Sequence, residues 1–455
     1  MADVKIGSVA SLYSSVIFVI VCALPVITTI LYGGVDTIVL GLQAVVAAAI
    51  FILWVRDAWI TEGFRFSSNL VQLAVAGFIL LALIQLLPLS SHGVTEGMLS
   101  ISPVSSLSMD PFGTRLFAVK MFVYLIFFAA ALAFTDTSER AVKLASLVVI
   151  FGALIGFFGV LQRLANPEAI YGLRPTPQAI PFGPFINQHH FAAFMVMTFG
   201  LSLGMILSPG IKRDRKAFLV LAAGVAAIGL FFTGSRGGVL SIAGTIFFAI
   251  VATYMLSGNS KKTEGSTTKG YKIAAALGSI AAGLIVIGSV FYLGGGDSLL
   301  RGIGASQNYV DVSSGRIHYW QTSLEIIKHN PIIGVGFDSF GVAFTRFDTQ
   351  SGMFRIENAH NEYLQVLAEG GILGFACLIA FLYLLFKRGI ANVAANENGM
   401  MRGIAIGSLA ACFGMAIHSF FDFPLRTPSN ALFFFLLIVL ATTPFSQRVT
   451  KTSGS

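Results

Sequence analysis

One histidine and two arginines, set in polar stretches of an otherwise apolar chain, are the residues best suited to chemistry. His360 lies where a helix is expected to begin, and Arg316 lies near the start of an earlier helix in the same polar segment, residues 295–369. An imidazole can accept a proton from a hydroxyl group or, when charged, bind a phosphate oxygen. A guanidinium group presents a planar fork of donors that matches phosphate. These side chains predict a site for an anionic, phosphorylated ligand.

Arg236 is the second arginine, and it occupies a tight turn between two long apolar segments. The turn reads TGSRGG over residues 233–238. A helix N-terminus with glycines nearby attracts anions through its free N–H groups and its dipole, and an arginine adds a full charge. The structural alternative is an arginine that anchors the chain at the membrane interface.

Five further polar residues are candidates for substrate binding. Two lie at the start of the sixth apolar segment, two directly follow His360, and one is a further arginine between two apolar segments. Each also has a structural alternative as a helix cap or a solvated charge. The candidates are Asn187, His190, Asn361, Glu362 and Arg174.

Metal binding is not expected from the sequence. The chain has no Asp-x-Asp, no His-x-x-x-His and no cysteine pair at ligand spacing. We therefore expect no metal and no cofactor, with the arginines neutralising a phosphorylated ligand in place of Mg²⁺. The three cysteines all fall in apolar segments, so no structural disulfide is expected.

The elements that must position these residues are membrane helices. The chain of 455 residues is 55% apolar and only 11% charged, against about 25% charged in soluble proteins. A helix needs about 20 apolar residues to cross the hydrocarbon core. The sequence predicts an all-α integral membrane protein with about 12 transmembrane helices, at 11–32, 35–55, 69–88, 114–134, 141–162, 189–208, 217–233, 236–256, 272–294, 370–387, 403–419 and 429–445.

Basic residues predict the orientation of these helices. Eighteen of the 29 Lys and Arg residues fall in alternate loops and at both ends of the chain, which the positive-inside rule places in the cytoplasm. We therefore expect one polytopic domain over residues 1–455, with 295–369 as a large periplasmic loop that contains short helices and the catalytic region. In this loop we expect a helix that ends near Lys328, an irregular stretch from Gly336 to Glu357, and a second helix that starts near Asn358 and breaks at Gly370-Gly371. The net charge of +8 follows from this bias, and nucleic acid is not expected as a partner.

The remaining cations differ in type from the cytoplasmic ones. Nine of these eleven residues are Arg, whereas the cytoplasmic set has ten Lys and eight Arg. Cations on the outer face oppose the positive-inside bias. An excess of guanidinium groups there favours an anionic ligand on that face.

The order of several motifs over roughly residues 180–425 resembles that of the O-antigen ligase and polymerase superfamily of bacterial inner-membrane glycosyltransferases. Each motif alone is weak, but the last three lie together in one long outer loop. The motifs are GPFINQHHFA at 183–192, GSRG at 234–237, SGR at 314–316 with Trp320, PIIGVG at 331–336 and AHNEYLQ at 359–365.

The resemblance implies a fold like that of the glycosyltransferase C type and a metal-independent reaction on the periplasmic face of the inner membrane. The implied donor is a glycan on undecaprenyl diphosphate, and the acceptor is a sugar hydroxyl on a glycan or on lipid A–core. Arg236 and Arg316 match the residues expected to bind the diphosphate. His360 matches the histidine at the reaction centre, as general base or as a phosphate contact. The implied process is polysaccharide or lipopolysaccharide biosynthesis among membrane lipid.

The motifs leave two questions open. They are shared by ligases, which transfer finished glycan to lipid A–core, and by polymerases, which extend the chain of repeat units. The main alternative from another class is a membrane transporter or flippase for a lipid-linked anionic substrate, which would need ionisable residues near the bilayer midplane. Lys120 is the only obvious charge well inside a predicted span, and this weighs against a transporter.

Overall fold

The computed structural model describes residues 11–89, 105–166, 168–177, 179–209, 211–256, 316–349 and 356–445. Within these ranges the chain folds into thirteen α-helices, two short 3₁₀ turns and one two-stranded hairpin. The first eight helices are α1 (Leu12–Ile30), α2 (Thr37–Thr61), α3 (Val71–Gln85), α4 (Pro111–Phe134), α5 (Ser138–Ala165), α6 (Gln188–Leu207), α7 (Arg213–Phe232) and α8 (Arg236–Leu256).

The second half of the chain adds five helices. Two of them lie in the segment expected as an outer loop. The helices are α9 (Arg316–His329), α10 (Phe340–Phe347), α11 (Glu362–Ala395), α12 (Gly399–His418) and α13 (Pro428–Thr442). The 3₁₀ turns are Tyr32–Gly34 and Pro424–Arg426, and the hairpin pairs strand β1 (Ala169–Ile170) with strand β2 (Arg174–Pro175).

The prediction of an all-α, multi-pass membrane protein is confirmed. Nine helices among the described residues are long and apolar enough to cross a membrane, and α3 and α13 are shorter apolar helices. These eleven helices match eleven of the twelve predicted spans. The other predicted span, 272–294, lies outside the described residues, as do residues 295–315 of the expected outer loop.

Helices α6, α12 and α13 form the centre of the bundle. Most residues of α6 and α12 are buried, and every residue of α13 is buried, including its polar ends Ser429, Asn430 and Thr442. A helix that is apolar all round is stable only when neighbours or lipid surround it. The outer helices instead carry large exposed apolar side chains, such as Ile38 and Trp59 of α2, which suit a lipid environment.

A break in α11 joins the outer segment to the bundle. Gly371 has a non-helical backbone (φ 58°, ψ −160°), which confirms the break predicted at Gly370-Gly371. Residues on either side of the break bond to the 331–336 segment: Val335 N–H donates to Ala368 O at 3.0 Å, and Ile372 N–H donates to Pro331 O at 2.8 Å. This pairing draws the polar segment into the top of the bundle.

One expectation for the outer loop is wrong. The stretch between Gly336 and Glu357 was expected to be irregular, but Phe340–Phe347 forms α10. Its residues Phe340, Ala343 and Phe344 are buried at the three- and four-residue spacing of one helical face. The helix is short, so its periodicity is difficult to recognise from the sequence.

Charged residues from two predicted cytoplasmic loops meet at one end of the bundle. Arg65 Nε lies 2.9 Å from Asp57 Oδ2, and Arg65 Nη1 lies 2.9 Å from Asp136 Oδ2. Arg140 Nη1 lies 3.2 Å from Asp136 Oδ1. These contacts agree with the prediction that the loops share one side of the membrane.

We predict that Gly371→Ala destabilises the protein. A Cβ atom there would lie 2.3 Å from Ile332 O, at a backbone conformation that side chains rarely adopt. The conformational strain alone is about 1–3 kcal/mol, so the midpoint of thermal unfolding in detergent should fall. The matched control is Gly224→Ala inside α7, where an added Cβ meets nothing within 4 Å. That change should stabilise the helix by about 0.5–1 kcal/mol. Equal midpoints for the two variants would contradict this account of the break.

Candidate functional site

A histidine–aspartate pair lies at the outer end of the bundle. His360 Nδ1 is 3.2 Å from Asp422 Oδ1, and the Asp422 side chain is only 2% exposed while that of His360 is 29% exposed. Burial alone would raise the pKa of Asp422, but the hydrogen bond from His360 and the charges of His190, His189 and His360 hold it well below its usual value. An ionised carboxylate only accepts hydrogen bonds. In the neutral form of the His360 imidazole, Nδ1 therefore carries the proton and Nε2 has a free lone pair.

The backbone before His360 is fixed from two sides. Trp320 Nε1 in α9 donates to Ala359 O at 3.0 Å, and the Ala359 N–H donates to Gln365 Oε1 at 2.5 Å. His360 itself has φ 50°, a left-handed conformation that is uncommon outside glycine. These bonds hold the imidazole toward Asp422 in an orientation that an ordinary helix start would not give.

Aromatic rings form the walls around the imidazole. The Phe423 ring meets the His360 ring edge-on with centroids 5.0 Å apart, and the Tyr319 ring lies alongside with centroids 6.1 Å apart. Such contacts restrict ring rotation without competing for a ring nitrogen. The pair is therefore preorganised while Nε2 stays available.

Arg316 and Arg236 approach the same pair. Arg316 is the first residue of α9 and is half-buried. Its burial and the charge of Arg236 lower its pKa, while the Asp422 carboxylate raises it. Among the described residues neither arginine takes part in an ion pair. Two close guanidinium groups that repel each other attract a polyanion.

The turn that carries Arg236 packs against the turn that carries Asp422. A Cβ added to Gly237 would lie 2.7 Å from Phe421 Cβ, so only glycine permits this approach. Arg236 at the start of α8 is exposed. The GSRG motif therefore places a solvated cation beside the buried Asp422.

Three more histidines lie around Asp422. His190 Nδ1 is 2.7 Å from Thr427 Oγ1, and His189 lies within electrostatic reach of Asp422 and Arg316. His418 is fully buried, and the N–H of Asp422 donates to its carbonyl oxygen at 3.1 Å. His189 and His190 at the start of α6 and His418 at the end of α12 thus lie near the same carboxylate.

Glu362 belongs to a second group of charges, centred on Arg426. Arg426 Nη1 is 2.8 Å from Asp338 Oδ1, its Nη2 is 2.6 Å from Glu369 Oε2, and its Nε is 3.3 Å from Glu362 Oε1. Lys120 Nζ lies 3.2 Å from Asp338 Oδ2. This group, Arg426 with Asp338, Glu362, Glu369 and Lys120, is called the Arg426 cluster below. Glu362 is engaged within it rather than free for a ligand.

An apolar cavity of about 150 Å³ lies beside the Arg426 cluster. Charged side chains of the cluster line one end, and aromatic and aliphatic side chains from α3, α4, α11 and α13 line the rest. A cavity of this size with a mostly apolar lining has room for a small hydrocarbon group. Its lining includes Phe78, Phe117, Tyr124, Phe381, Phe434 and Phe435.

Three candidates from the sequence have other partners. Asn187 caps α6 by accepting from the His189 N–H at 2.8 Å, and Asn361 caps α11 by accepting from the N–H groups of Tyr363 and Leu364. Arg174 makes a double contact with Asp36, at 2.6 and 3.0 Å. The structure therefore brings together Arg236, Arg316, His360 and His190 and assigns these three residues structural contacts.

Sequence reasoning missed two residues of this region, Asp422 and Arg426. The signal available was their position: both are charged and lie in FFDFPLR, residues 420–426, between two apolar segments. Polar groups held within a membrane bundle usually mark a site or pair with each other.

The described residues contain no group of three or more His, Cys, Asp or Glu side chains placed to hold a metal ion. Metal independence stays a prediction. The chemistry that the described side chains support directly is proton removal at His360 Nε2 next to a pocket for negative charge.

Comparisons with known proteins agree with the motifs. A family model described as O-Antigen ligase matches residues 217–379, a range that includes Arg236, Arg316 and His360 and ends before Asp422. An O-antigen ligase of Pseudomonas aeruginosa is 25% identical over 295 residues, which cover 63% of this chain and 62% of that protein. The exopolysaccharide production protein ExoQ of Rhizobium meliloti is 24% identical over 169 residues, 36% of each chain. The match thus spans less than two thirds of either relative.

We predict that inorganic diphosphate binds between the two free arginines and raises the thermal unfolding midpoint of the purified protein. Each charge-assisted contact contributes about 1.5–3 kcal/mol, so Arg236→Ala or Arg316→Ala should weaken binding by roughly 10- to 150-fold. Titration of the midpoint with diphosphate measures this. Arg174→Ala is the matched control, since Arg174 is paired with Asp36, and it should respond like the wild type. Loss of the response in Arg174→Ala alone would contradict the assignment.

Proposed function

From the resemblance to the O-antigen ligase and polymerase superfamily, which the motifs predict and the comparisons confirm, we propose that this chain is a membrane glycosyltransferase. It moves a glycan from undecaprenyl diphosphate to an acceptor sugar hydroxyl. The observation that carries the proposal is the approach of Arg236 and Arg316, which have no ion-pair partner in the described part of the chain, to the His360–Asp422 pair. A base and a diphosphate site side by side are what this transfer needs.

His360 acts as the general base in the proposed reaction. Its Nε2 removes the proton from the acceptor hydroxyl while the hydroxyl oxygen attacks the anomeric carbon of the donor glycan. The bond from that carbon to the diphosphate oxygen breaks, and undecaprenyl diphosphate leaves with the electron pair. Asp422 stabilises the imidazolium that forms, as a buried carboxylate does beside a catalytic histidine.

Arg236 and Arg316 stabilise the leaving group. Negative charge grows on the diphosphate as the sugar–oxygen bond breaks, and preorganised cations in a partly dehydrated site favour that change. The half-buried Arg316 is the stronger contributor because its environment screens charge less. Two guanidinium groups supply the positive charge that a divalent metal supplies in other phosphate chemistry, so no metal or cofactor is needed.

The proposed reaction takes place on the periplasmic face of a bacterial inner membrane, with both termini in the cytoplasm. Support comes from the distribution of Lys and Arg and from the cluster of Asp57, Arg65, Asp136 and Arg140 at one end of the bundle. The residues of the candidate site lie in or beside the loops that are not predicted to be cytoplasmic. The residues 295–369 form the catalytic loop of a single membrane domain in this proposal.

The acceptor is either lipid A–core or the growing glycan itself. One relative is named an O-antigen ligase and the other an exopolysaccharide production protein, so the two names do not decide between these acceptors. Donor chemistry is the same in the two cases, so the arrangement of His360 and the arginines fits both.

A transporter or flippase for a lipid-linked anion is the alternative. Ionisable residues within the bundle would favour it, and Lys120 is not alone there, because it pairs with Asp338 of the Arg426 cluster. In the Arg426 cluster, Lys120 and Arg426 are paired with carboxylates. Arg236 and Arg316 have no ion-pair partner among the described residues and lie near the His360–Asp422 pair. This arrangement favours catalysis over transport.

We predict that cells lacking this protein accumulate unused donor on the lipid carrier. Long polymer on undecaprenyl diphosphate with none on lipid A–core identifies a ligase, and single repeat units without long chains identify a polymerase. Lipid extraction with mass spectrometry, together with gel analysis of surface glycan, separates the two. An unchanged glycan profile would count against both forms of the proposal.

We predict that His360→Ala lowers kcat by roughly 100- to 10,000-fold, because the acceptor proton loses its base. The KM for the donor should change little, since the arginines still hold the diphosphate. Asp422→Asn should lower kcat as well, through the wrong imidazole tautomer. His329→Ala, on the exposed end of α9, serves as the control and should match the wild type. A wild-type kcat for His360→Ala would remove that residue from the reaction.

A further inference from the structure

We propose that Arg426 is a positioning residue, whose guanidinium group ties the segment carrying Asp422 to the segment carrying His360 and so sets the geometry of the His360–Asp422 pair. Neither the family resemblance nor the sequence motifs assign Arg426 a role. The proposal rests on the proposed function, because transfer is what depends on the position of the imidazole.

Arg426 contacts both segments at once. It follows Asp422 by four residues in the 3₁₀ turn Pro424–Arg426, and its Nε is 3.3 Å from Glu362 Oε1, two residues after His360. Its other donors reach Asp338 and Glu369 at 2.8 and 2.6 Å. An arginine presents five donors in a rigid fork, so Nη1 and Nη2 can hold two acceptors at set angles, while the contact of Nε with Glu362 is an ion pair without an aligned hydrogen bond among the described residues.

Two residues with left-handed backbones face this short turn. His360 has φ 50° and Asp338 has φ 57°, conformations that cost about 1–2 kcal/mol per residue. His360 bonds Asp422 at one end of the 422–426 segment, and Asp338 bonds Arg426 at the other. Residues in such conformations persist when the surroundings over-determine them, and they concentrate at functional sites.

Stability alone does not account for the Arg426 cluster. Replacing a buried ion pair by apolar residues of similar volume is often neutral or stabilising. The cluster sets three carboxylates against the two cations Lys120 and Arg426, and Glu362 Oε2 is buried without a hydrogen-bond partner among the described residues. A cluster that served only stability would need no third carboxylate. A cluster that links two segments does need one, because Glu362 is its contact to the segment that carries His360.

A substitution at Glu362 removes the contact between Arg426 and the segment that carries His360 with little other change. Its N–H donates to Ser419 O at 2.8 Å, so the backbone around His360 stays anchored when the side chain changes. Glu362→Gln keeps the size of the side chain and removes its charge. Arg426→Gln would instead leave the buried Glu362 and Glu369 without their cation, and such a change costs about 3–5 kcal/mol.

The test is a double-mutant cycle in purified, reconstituted protein, with kcat and the donor KM measured for each variant. We expect Glu362→Gln to lower kcat roughly 10- to 100-fold, as small misplacements do, with the donor KM within about twofold of wild type, since the arginines that hold the diphosphate are unchanged. In the Asp422→Asn background the same change should cause little further loss, because residues that act as a unit are not additive. Arg426→Lys, which keeps charge without the fork, should retain less activity than Glu362→Gln.

Asp136→Asn is the matched control. Asp136 also bridges two arginines, at the other end of the bundle, so its loss tests the cost of cutting a similar ionic link. It should leave kcat at the wild-type value in both backgrounds. A loss in Glu362→Gln that adds fully to that of Asp422→Asn would overturn the proposal. A raised donor KM with unchanged kcat would also overturn it, by making Glu362 a substrate contact.

A second readout separates this proposal from the proposed function. If the wild type transfers no glycan, the proposed function fails, and the His360 ring is then observed directly by NMR of histidine-labelled protein. The His360 ring nitrogen signals should shift in Glu362→Gln and stay unchanged in Asp136→Asn. Unchanged signals in both variants would overturn the positioning role of Arg426, whatever the reaction.

Discussion

Charge inside an apolar bundle must be matched by opposite charge or by a ligand, and this constraint organises the outer end of the protein. Arg426 satisfies it with Asp338, Glu369 and Glu362. Asp422 satisfies it with His360 and the neighbouring histidines. Arg236 and Arg316 do not satisfy it with any described carboxylate at ion-pair distance. Two cations with no ion-pair partner among the described residues, beside a preorganised base, imply that the missing charge arrives with the substrate.

The membrane fold serves this arrangement through a few connections. The break at Gly371 exposes backbone groups that bind the 331–336 segment, and this segment carries Asp338 toward Arg426. Trp320 fixes the carbonyl oxygen before His360, which links α9, and so Arg316, to the base. The glycine after Arg236 lets its turn reach the turn before Asp422. Motifs distant in the sequence therefore converge because each supplies one backbone or charge contact at the same place.

The sequence predicted much of this and missed the rest for physical reasons. Apolar length fixes the spans, since about 20 residues cross the bilayer whatever their neighbours. Arg236 and Arg316 stood out because cations on the outer face oppose the positive-inside bias, and His360 stood out because it lies at an expected helix start in the same polar segment as Arg316. Asp422 and Arg426 were missed because their partners lie 62 and 57 residues away along the chain. Arg174, Asn187 and Asn361 were included because caps and surface pairs use the same residue types as binding sites.

Reconstituted transfer tests the central claim most directly. Purified protein in liposomes is given a glycan on undecaprenyl diphosphate and a glycan acceptor, and both the new glycosidic bond and the released undecaprenyl diphosphate are measured. The account predicts that the two products appear in equal amounts and that neither appears when His360 is replaced by alanine. Movement of intact donor across the bilayer without bond formation would contradict it and would identify a transporter.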